Sequence, residues 1–335
     1  MYNSIITGTG YYVPENIVTN DDLSKLMDTS DAWIQERTGI QQRHFATRGK
    51  DTTTSMGVRA AQMAMEKAKI NKEDIDFLIF ATLSPDYYFP GCGVLAQKEL
   101  GLHTIGALDI RNQCSGFIYA LSVADQFIKT GMYKNILVIA SEMQSPALDL
   151  TTRGRNMAVL FGDGAGAAVL SRSQESGKGI LSSHLHSEGA HAEELAILTP
   201  GVGKKWVTDL LKENDPEDTS YFPYMNGQFV FKNAVVRFSE VIIEGLKANK
   251  LTESDIDLFI PHQANLRISQ FIQQKFNLPD AKVFNNIQKY GNTTAASIAI
   301  ALAEAVEQGR VKENDIILLA AFGSGFTWGS VVIKW

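Results

Sequence analysis

The 335-residue chain has only two cysteines, Cys92 and Cys114. So few thiols build no disulfide framework, and a reducing cytoplasm is expected. It has no run of about 18 apolar residues, so no membrane-spanning helix is predicted. The opening Met1-Tyr-Asn-Ser-Ile-Ile-Thr-Gly8 lacks a basic stretch followed by an apolar core and does not read as a signal peptide. Positive charge is also in deficit. The chain carries 31 Lys and Arg against 37 Asp and Glu, a formal charge of -6. A field of that sign repels phosphate and argues against a general nucleic-acid role. Metal-ligating clusters are missing too. His184 and His186 alternate as ligands could, but no third ligand follows at a convincing spacing, so they are read as a strand face and no metal is expected.

What is present is an ordinary globular composition, 44% hydrophobic and 20% charged, enough for two cores or one large duplicated one. Apolar runs of strand length at 76–81, 136–141, 256–260 and 316–321 alternate with helical segments at 55–69, 231–249, 264–276 and 294–308. Residues 4–9 read as a strand broken by Gly10. Residues 29–39 read as a short helix capped by Thr29 or Ser30 and closed by Gly39. Between 199 and 224 the periodicity fades, and the segment reads as a lid-like insertion.

An internal repeat orders these pieces. Glu66-Lys-Ala-Lys-Ile-Asn-Lys-Glu-Asp-Ile-Asp-Phe-Leu-Ile-Phe80 parallels Leu246-Lys-Ala-Asn-Lys-Leu-Thr-Glu-Ser-Asp-Ile-Asp-Leu-Phe-Ile260. Residues 127–140 echo 305–320 in the same order. Two copies of a strand–helix unit predict an α/β fold with mostly parallel sheets and two halves, 1–175 and 176–335. The repeat sets Cys114 opposite Asn292, each at the start of a matching helix.

Cys114 lies in Asn112-Gln-Cys-Ser-Gly-Phe117, where a strand-like run gives way to a helix. The positive end of a helix lowers a thiol's pKa and favours a nucleophile; the plainer alternative is a small buried core residue. His262 follows a buried strand in Ile260-Pro-His-Gln-Ala-Asn-Leu-Arg267, at the strand end where α/β sheets build their sites. Asn292 is either an N-cap or a donor to an oxyanion. Gly323-Ser-Gly-Phe-Thr-Trp-Gly329 is either a tight turn or a loop aiming N–H groups into a site. Asp163-Gly-Ala-Gly lacks the lysine of a phosphate loop and reads as a turn.

Six segments in this order resemble β-ketoacyl-acyl-carrier-protein synthase III of the thiolase superfamily. They are residues 29–39, 114–117, 161–170, 261–268, 291–297 and 322–329. The resemblance implies a five-layered α-β-α-β-α fold. It also implies an acyltransferase in which Cys114 takes an acyl group from acyl-CoA. Malonyl-acyl-carrier protein is then decarboxylated, and its enolate attacks the acyl-cysteine, initiating fatty acid synthesis. His262 and Asn292 are then donors to the malonyl thioester oxygen, and the backbone N–H groups of Cys114 and Ser324 serve the second oxyanion. The CoA positions carry over to Trp33 (adenine stacking), Arg37, Arg155, Phe231, Asn265 and Arg267, with Arg153 competing for the place of Arg155. Phe89 corresponds to the residue a partner subunit inserts into the acyl pocket, so a homodimer is expected. An acidic carrier protein needs a basic landing site, for which Lys232, Arg267 and Lys275 are candidates. Acyl-CoA is a substrate, and no cofactor is implied.

Three departures from the family pattern surround substrate access: Asn112-Gln113 before the cysteine, Ser324 in place of a central glycine, and the long 199–224 segment. Ser324 would add strain if its φ were positive. Three other readings compete. One is a related condensing enzyme of secondary metabolism with an unusual acyl or β-ketoacyl substrate. Another is an acyltransferase or thioester hydrolase using Cys114 and His262, against which Asn292 speaks. The third is a non-catalytic partner subunit, which would be expected to lack the cysteine.

Overall fold

The Asp-Ile-Asp turn does the same work in both halves of the chain. In the computed structural model, which describes residues 2–201, 203, 215 and 217–335, Lys72–Asp74 and Glu253–Asp255 each form a single 3-10 turn. Capping boxes close them, Asn71 with Asp74 and Thr252 with Asp255. The central Ile75 and Ile256 are fully buried. Asp76 accepts from the N–H groups of Lys134 and Asn135 at 2.7 and 3.0 Å. Asp257 accepts from the N–H of Ile316 at 2.8 Å. Each second aspartate thus ties the start of one strand to the start of its parallel neighbour.

Strands β1 (Asn3–Tyr12), β2 (Phe77–Ala81), β3 (Gly106–Ile110), β4 (Asn135–Glu142) and β5 (Gly164–Ser173) form one sheet in the order β1-β5-β4-β2-β3. Strands β6 (Gly179–Ser187), β7 (Leu258–Pro261), β8 (Ile316–Gly323) and β9 (Thr327–Lys334) form the second, in the order β7-β8-β9-β6. The sheets are mixed rather than mostly parallel. Only β2 with β3, β2 with β4, and β7 with β8 pair in parallel. Between β8 and β9 the link is too short for a crossover, so that pair must be antiparallel.

Helices α1 (Asp31–Thr38), α2 (Thr53–Ala68), α3 (Cys92–Leu100), α4 (Gly116–Lys129), α5 (Gly227–Ala248), α6 (Leu266–Lys275) and α7 (Ala296–Glu307) complete the main elements. The alternation of side chains along each strand sorts them into layers. Phe77, Ile79 and Ala81 of β2 point inward to α4 and α7, while Leu78 and Phe80 point outward to α2 and α3. In the second sheet Ile317 and Leu319 meet the same middle helices, and Leu318 and Ala320 meet α5 and α6. The result is the five-layered α-β-α-β-α arrangement. The middle helix α7 is buried without interruption from Ala296 to Ala305, as a helix between two sheets must be.

Gly10 does not break β1, which runs through it to Tyr12. A side chain there would stand 2.3 Å from the Ala60 carbonyl of α2, and one at Gly8 would stand 2.1 Å from that of Ala64. These glycines let a helix lie directly on the strand. Ser30 caps α1, accepting from the Trp33 N–H, and Gly39 closes it with a φ of 77°. Of the suspected insertion, residues 202, 204–214 and 216 lie outside the described residues; of the remainder, Tyr224–Met225 pairs with Leu195–Ala196.

Candidate active site

Cys114 sits where β3 turns toward the middle layer. The turn Gln113–Ser115 is 3-10, and α4 begins at Gly116. The Ser115 hydroxyl donates to the Asn112 carbonyl at 2.9 Å. Gln113 has a φ of 43°, a left-handed conformation that a residue with a side chain rarely adopts. A side chain at Gly116 would meet the Cβ atoms of Ala295 and Ala81 at 3.2 and 3.3 Å, so glycine lets the helix start seat tightly. Gly323 of β8 is closer still. A Cβ there would lie 2.7 Å from the Cys114 Cβ and 3.2 Å from its Sγ.

The expected lowering of the Cys114 pKa is overturned by burial. The residue is only 8% exposed. Desolvation pushes the thiol up to about 12, and the Glu142 carboxylate adds to the rise. The N–H groups of Cys114 and Ser324 approach the sulfur and pull the other way without prevailing. At rest the site holds a thiol.

His262 is the first residue past β7, and its N–H donates to the Ala320 carbonyl at 2.8 Å. Its Nδ1 lies 2.6 Å from the Ser297 hydroxyl. Its Nε2 is buried with no hydrogen-bond partner among the described residues. Burial pushes the ring's pKa down to about 3, so the imidazole is neutral.

Asn292 does not cap α7, whose N-cap position is Ala295. It is pinned across the two halves instead. Its N–H donates to the Leu160 carbonyl at 2.8 Å, and its carbonyl accepts from Gly162 at 3.1 Å. Its Oδ1 accepts from the Thr294 N–H at 2.8 Å. The side-chain NH2 has no hydrogen-bond partner among the described residues. Thr294, with a φ of 46°, makes the sharp turn that delays α7 to Ala296.

Cys114, His262, Asn292 and Ser324 line one cavity of about 630 Å³. Phe231 and Asn265 line it as well, as do Tyr87, Tyr88 and Arg111. Ser324 carries no positive φ; Gly325 takes that conformation, with a φ of 131°. The Ser324 hydroxyl turns away to donate to the Leu195 carbonyl.

Beside the cavity, Arg37 and Arg155 share the indole of Trp33, at 4.4 and 4.9 Å from the ring centroid. Arg153 turns instead to Asp149 at 2.7 Å and Glu217 at 3.5 Å. The Asn265 amide uses one N–H and its oxygen within the protein. It donates to the Arg37 carbonyl and accepts from the Arg267 N–H, each at 2.9 Å, joining α6 to α1. Lys232, Arg267 and Lys275 are exposed. Phe89 is 81% exposed, beside the exposed Tyr87 and Tyr88.

Two residues of the site escape the sequence reading. Ser297 closes the segment 291–297 as one serine in an alanine-rich helix, and nothing in that pattern marks it for a role. Glu142 is fully buried at the end of β4. It accepts from Ser84 Oγ at 2.6 Å and from Thr82 Oγ1, Leu83 N and Gln144 Nε2 at 3.2 Å. Thr294's hydroxyl lies against it without a well-formed hydrogen bond. Burial pushes Glu142 up to about 7. A charged residue closing the apolar run 136–140 was the available signal. His184 and His186 do meet a third group, Glu244 of α5, at 3.3 and 2.6 Å. No three such groups among the described residues are arranged to hold a metal ion.

Two family models match this chain: 3-oxoacyl-[acyl-carrier-protein] synthase III over residues 108–189, and the C-terminal model of the same family over residues 246–335. The β-ketoacyl-[acyl-carrier-protein] synthase III of Caldanaerobacter subterraneus subsp. tengcongensis is 46% identical over 330 residues, covering 98% of this chain and 97% of its own. The crystal structure of 3-oxoacyl-[acyl-carrier-protein] synthase III from Aquifex aeolicus matches with a TM-score of 0.90 at 43% identity, covering 99% of this chain and 100% of that one. The synthase III structure from Thermus thermophilus matches with a TM-score of 0.90 at 38% identity, covering 99% of each.

Proposed function

The chain belongs to the β-ketoacyl-[acyl-carrier-protein] synthase III family, and from that premise we propose how its residues divide the initiating condensation of fatty acid synthesis. It is an acyltransferase-type condensing enzyme. In the first half-reaction the Cys114 sulfur attacks the thioester of an acyl-CoA. The acyl group stays on sulfur, and CoA leaves, taking up a proton. In the second, malonyl-acyl-carrier protein loses carbon dioxide, and the electron pair of the broken bond becomes an enolate. His262 Nε2–H and the Asn292 NH2 hydrogen-bond its oxygen. The enolate carbon attacks the acyl-cysteine carbonyl, the N–H groups of Cys114 and Ser324 receive that oxyanion, and collapse breaks the C–S bond, releasing the β-ketoacyl product and a thiolate that takes up a proton from solvent.

The observation carrying this reading is the convergence of Cys114, His262 and Asn292 on one cavity from both halves of the chain. A neutral imidazole and an amide are suited to the enolate: preorganised donors act most strongly where water is excluded. Trp33, Arg37, Arg155, Phe231, Asn265 and Arg267 hold CoA, the guanidiniums suiting its phosphates. Lys232, Arg267 and Lys275 meet the acidic carrier protein. The exposed Phe89 loop and the edge strand β3, unpaired on one side, support a homodimer in which Phe89 enters the partner's acyl pocket. The reaction so written needs no cofactor. No helix among the described residues is long and apolar enough to cross a membrane, and a cytoplasmic enzyme fits that.

The test is incubation with a panel of acyl-CoAs followed by intact mass. An acyl adduct that disappears in Cys114→Ala is expected. Absence of an adduct with every acyl-CoA would overturn the assignment of Cys114.

A further inference from the structure

One nitrogen of the His262 ring decides what the other can do. Nδ1 meets the Ser297 hydroxyl at 2.6 Å, and Nε2 is buried without a partner among the described residues. Ser297 lies in the first turn of α7, 2% exposed, in the buried middle layer. Its oxygen also faces the Gln263 N–H at 3.4 Å, and that group can only donate. Among the described residues, the acceptor recorded for the Ser297 proton is therefore Nδ1. The approach is held from the far side as well. Gln263 donates to the Pro261 carbonyl at 2.7 Å and accepts from the N–H groups of Asn286 and Ile287 at 3.0 and 3.2 Å, which fixes the chain around the histidine.

The two tautomers differ sharply in this setting. With the proton on Nδ1, the serine proton is left unpaired in an apolar layer, and Nε2 turns a lone pair toward any oxyanion brought to it. With the proton on Nε2, the serine donates to Nδ1 and every polar hydrogen has a use once substrate arrives.

We propose that Ser297 is a positioning residue: by donating to Nδ1 it fixes His262 as the Nε2–H tautomer, a hydrogen-bond donor to the enolate oxygen and not a base toward Cys114. The inference rests on the reading that His262 serves the decarboxylation. It gives that half-reaction a requirement that acyl transfer to Cys114 does not share.

The full-length protein, labelled with ¹⁵N-histidine, tests it directly. The His262 resonances are assigned by comparison with His262→Ala. The wild type is expected to show Nε2 protonated and Nδ1 accepting. In Ser297→Ala the kcat for decarboxylation of malonyl-acyl-carrier protein should fall about 10- to 100-fold, by analogy with the loss of a partner that orients a histidine at a metal site. KM, and the rate of acyl transfer from acyl-CoA to Cys114, should stay within about twofold, and the tautomer signal should become mixed. Ser297→Thr, which keeps a hydroxyl, should restore both. An Nδ1–H resonance in the wild type would overturn the proposal even if every variant misfolds. So would a folded Ser297→Ala with unchanged decarboxylation and an unchanged spectrum. If His262→Ala itself kept full decarboxylation, the fault would lie in the role given to His262, while the spectrum would still decide the tautomer.

Discussion

Adding one methyl group at Gly323 tests whether the position of Cys114 is set by β8. The backbone at Gly323 lies outside the left-handed region, so alanine costs nothing in conformation and the effect is steric alone. The new Cβ would sit 2.7 Å from the Cys114 Cβ, 3.1 Å from its N and 3.2 Å from its Sγ. Carbon atoms settle at about 3.5–4.0 Å, so one partner must move by roughly 1 Å. Cys114 is held by its turn and by the start of α4, and Gly323 by its pairing with Thr327 in the β8–β9 ladder. Neither yields freely, and overpacking of this kind costs about 1–3 kcal/mol. A shift of about 1 Å in a reacting group costs on the order of 100-fold in rate. The Ser324 N–H, next in the chain, moves with it. Single-turnover acylation of Gly323→Ala by acyl-CoA, followed by intact mass, should therefore be slower by about 100-fold, with a folded protein by circular dichroism and a modestly lower Tm. Acylation within threefold of wild type would refute the reasoning: either Gly323 does not locate the sulfur, or the sulfur is not the nucleophile.

Asn292→Ala should lose about 100- to 1000-fold in decarboxylation of malonyl-acyl-carrier protein, as for an oxyanion donor, with acyl transfer spared; equal losses in both half-reactions would contradict its assignment to the enolate. Glu142→Gln should change the pH dependence of stability. The folded pKa of Glu142, about 7, stands above its ordinary 4.5, so the folded state holds this proton more tightly than the unfolded one. Wild type should lose on the order of 3 kcal/mol relative to the variant as pH rises from 4.5 to about 7, and no more beyond. Unfolding midpoints of both proteins between pH 4.5 and 8 read this, and a constant difference would refute it. The same variant removes a charge that opposes the thiolate, so alkylation of Cys114 by iodoacetamide at pH 8 should speed up, by about tenfold for each pKa unit relieved.

The parts of the fold legible in sequence are those governed by periodicity and local chemistry. The buried runs at 76–81 and 316–321 announce central strands, and Ser30 with Gly39 announces a capped helix. The repeated Asp-Ile-Asp announces the duplication. The misreadings share a cause, which is information held by a distant segment. Gly10 looks like a strand breaker until α2 lies on it. Asn292 looks like a cap until Leu160 and Gly162 bind its backbone. Cys114 looks like an activated thiol until the surrounding layers remove its water. The hydrogen bond of Ser297 depends on a histidine 35 positions away, and no local pattern encodes it.

The middle layer has a consequence for inheritance. Helices α4 and α7 occupy equivalent places in two copies of one unit, and each enters that layer through a residue with a left-handed backbone, Gln113 or Thr294. One entrance now carries sulfur and the other an amide. The fold offers the same corner twice, and the two corners carry different chemistry. A cut in the 174–178 link would leave each fragment with its own sheet and outer helices but with one bare face where the other's helix belongs. The halves have therefore become unequal without becoming separable, because the chemistry lives on the seam between them.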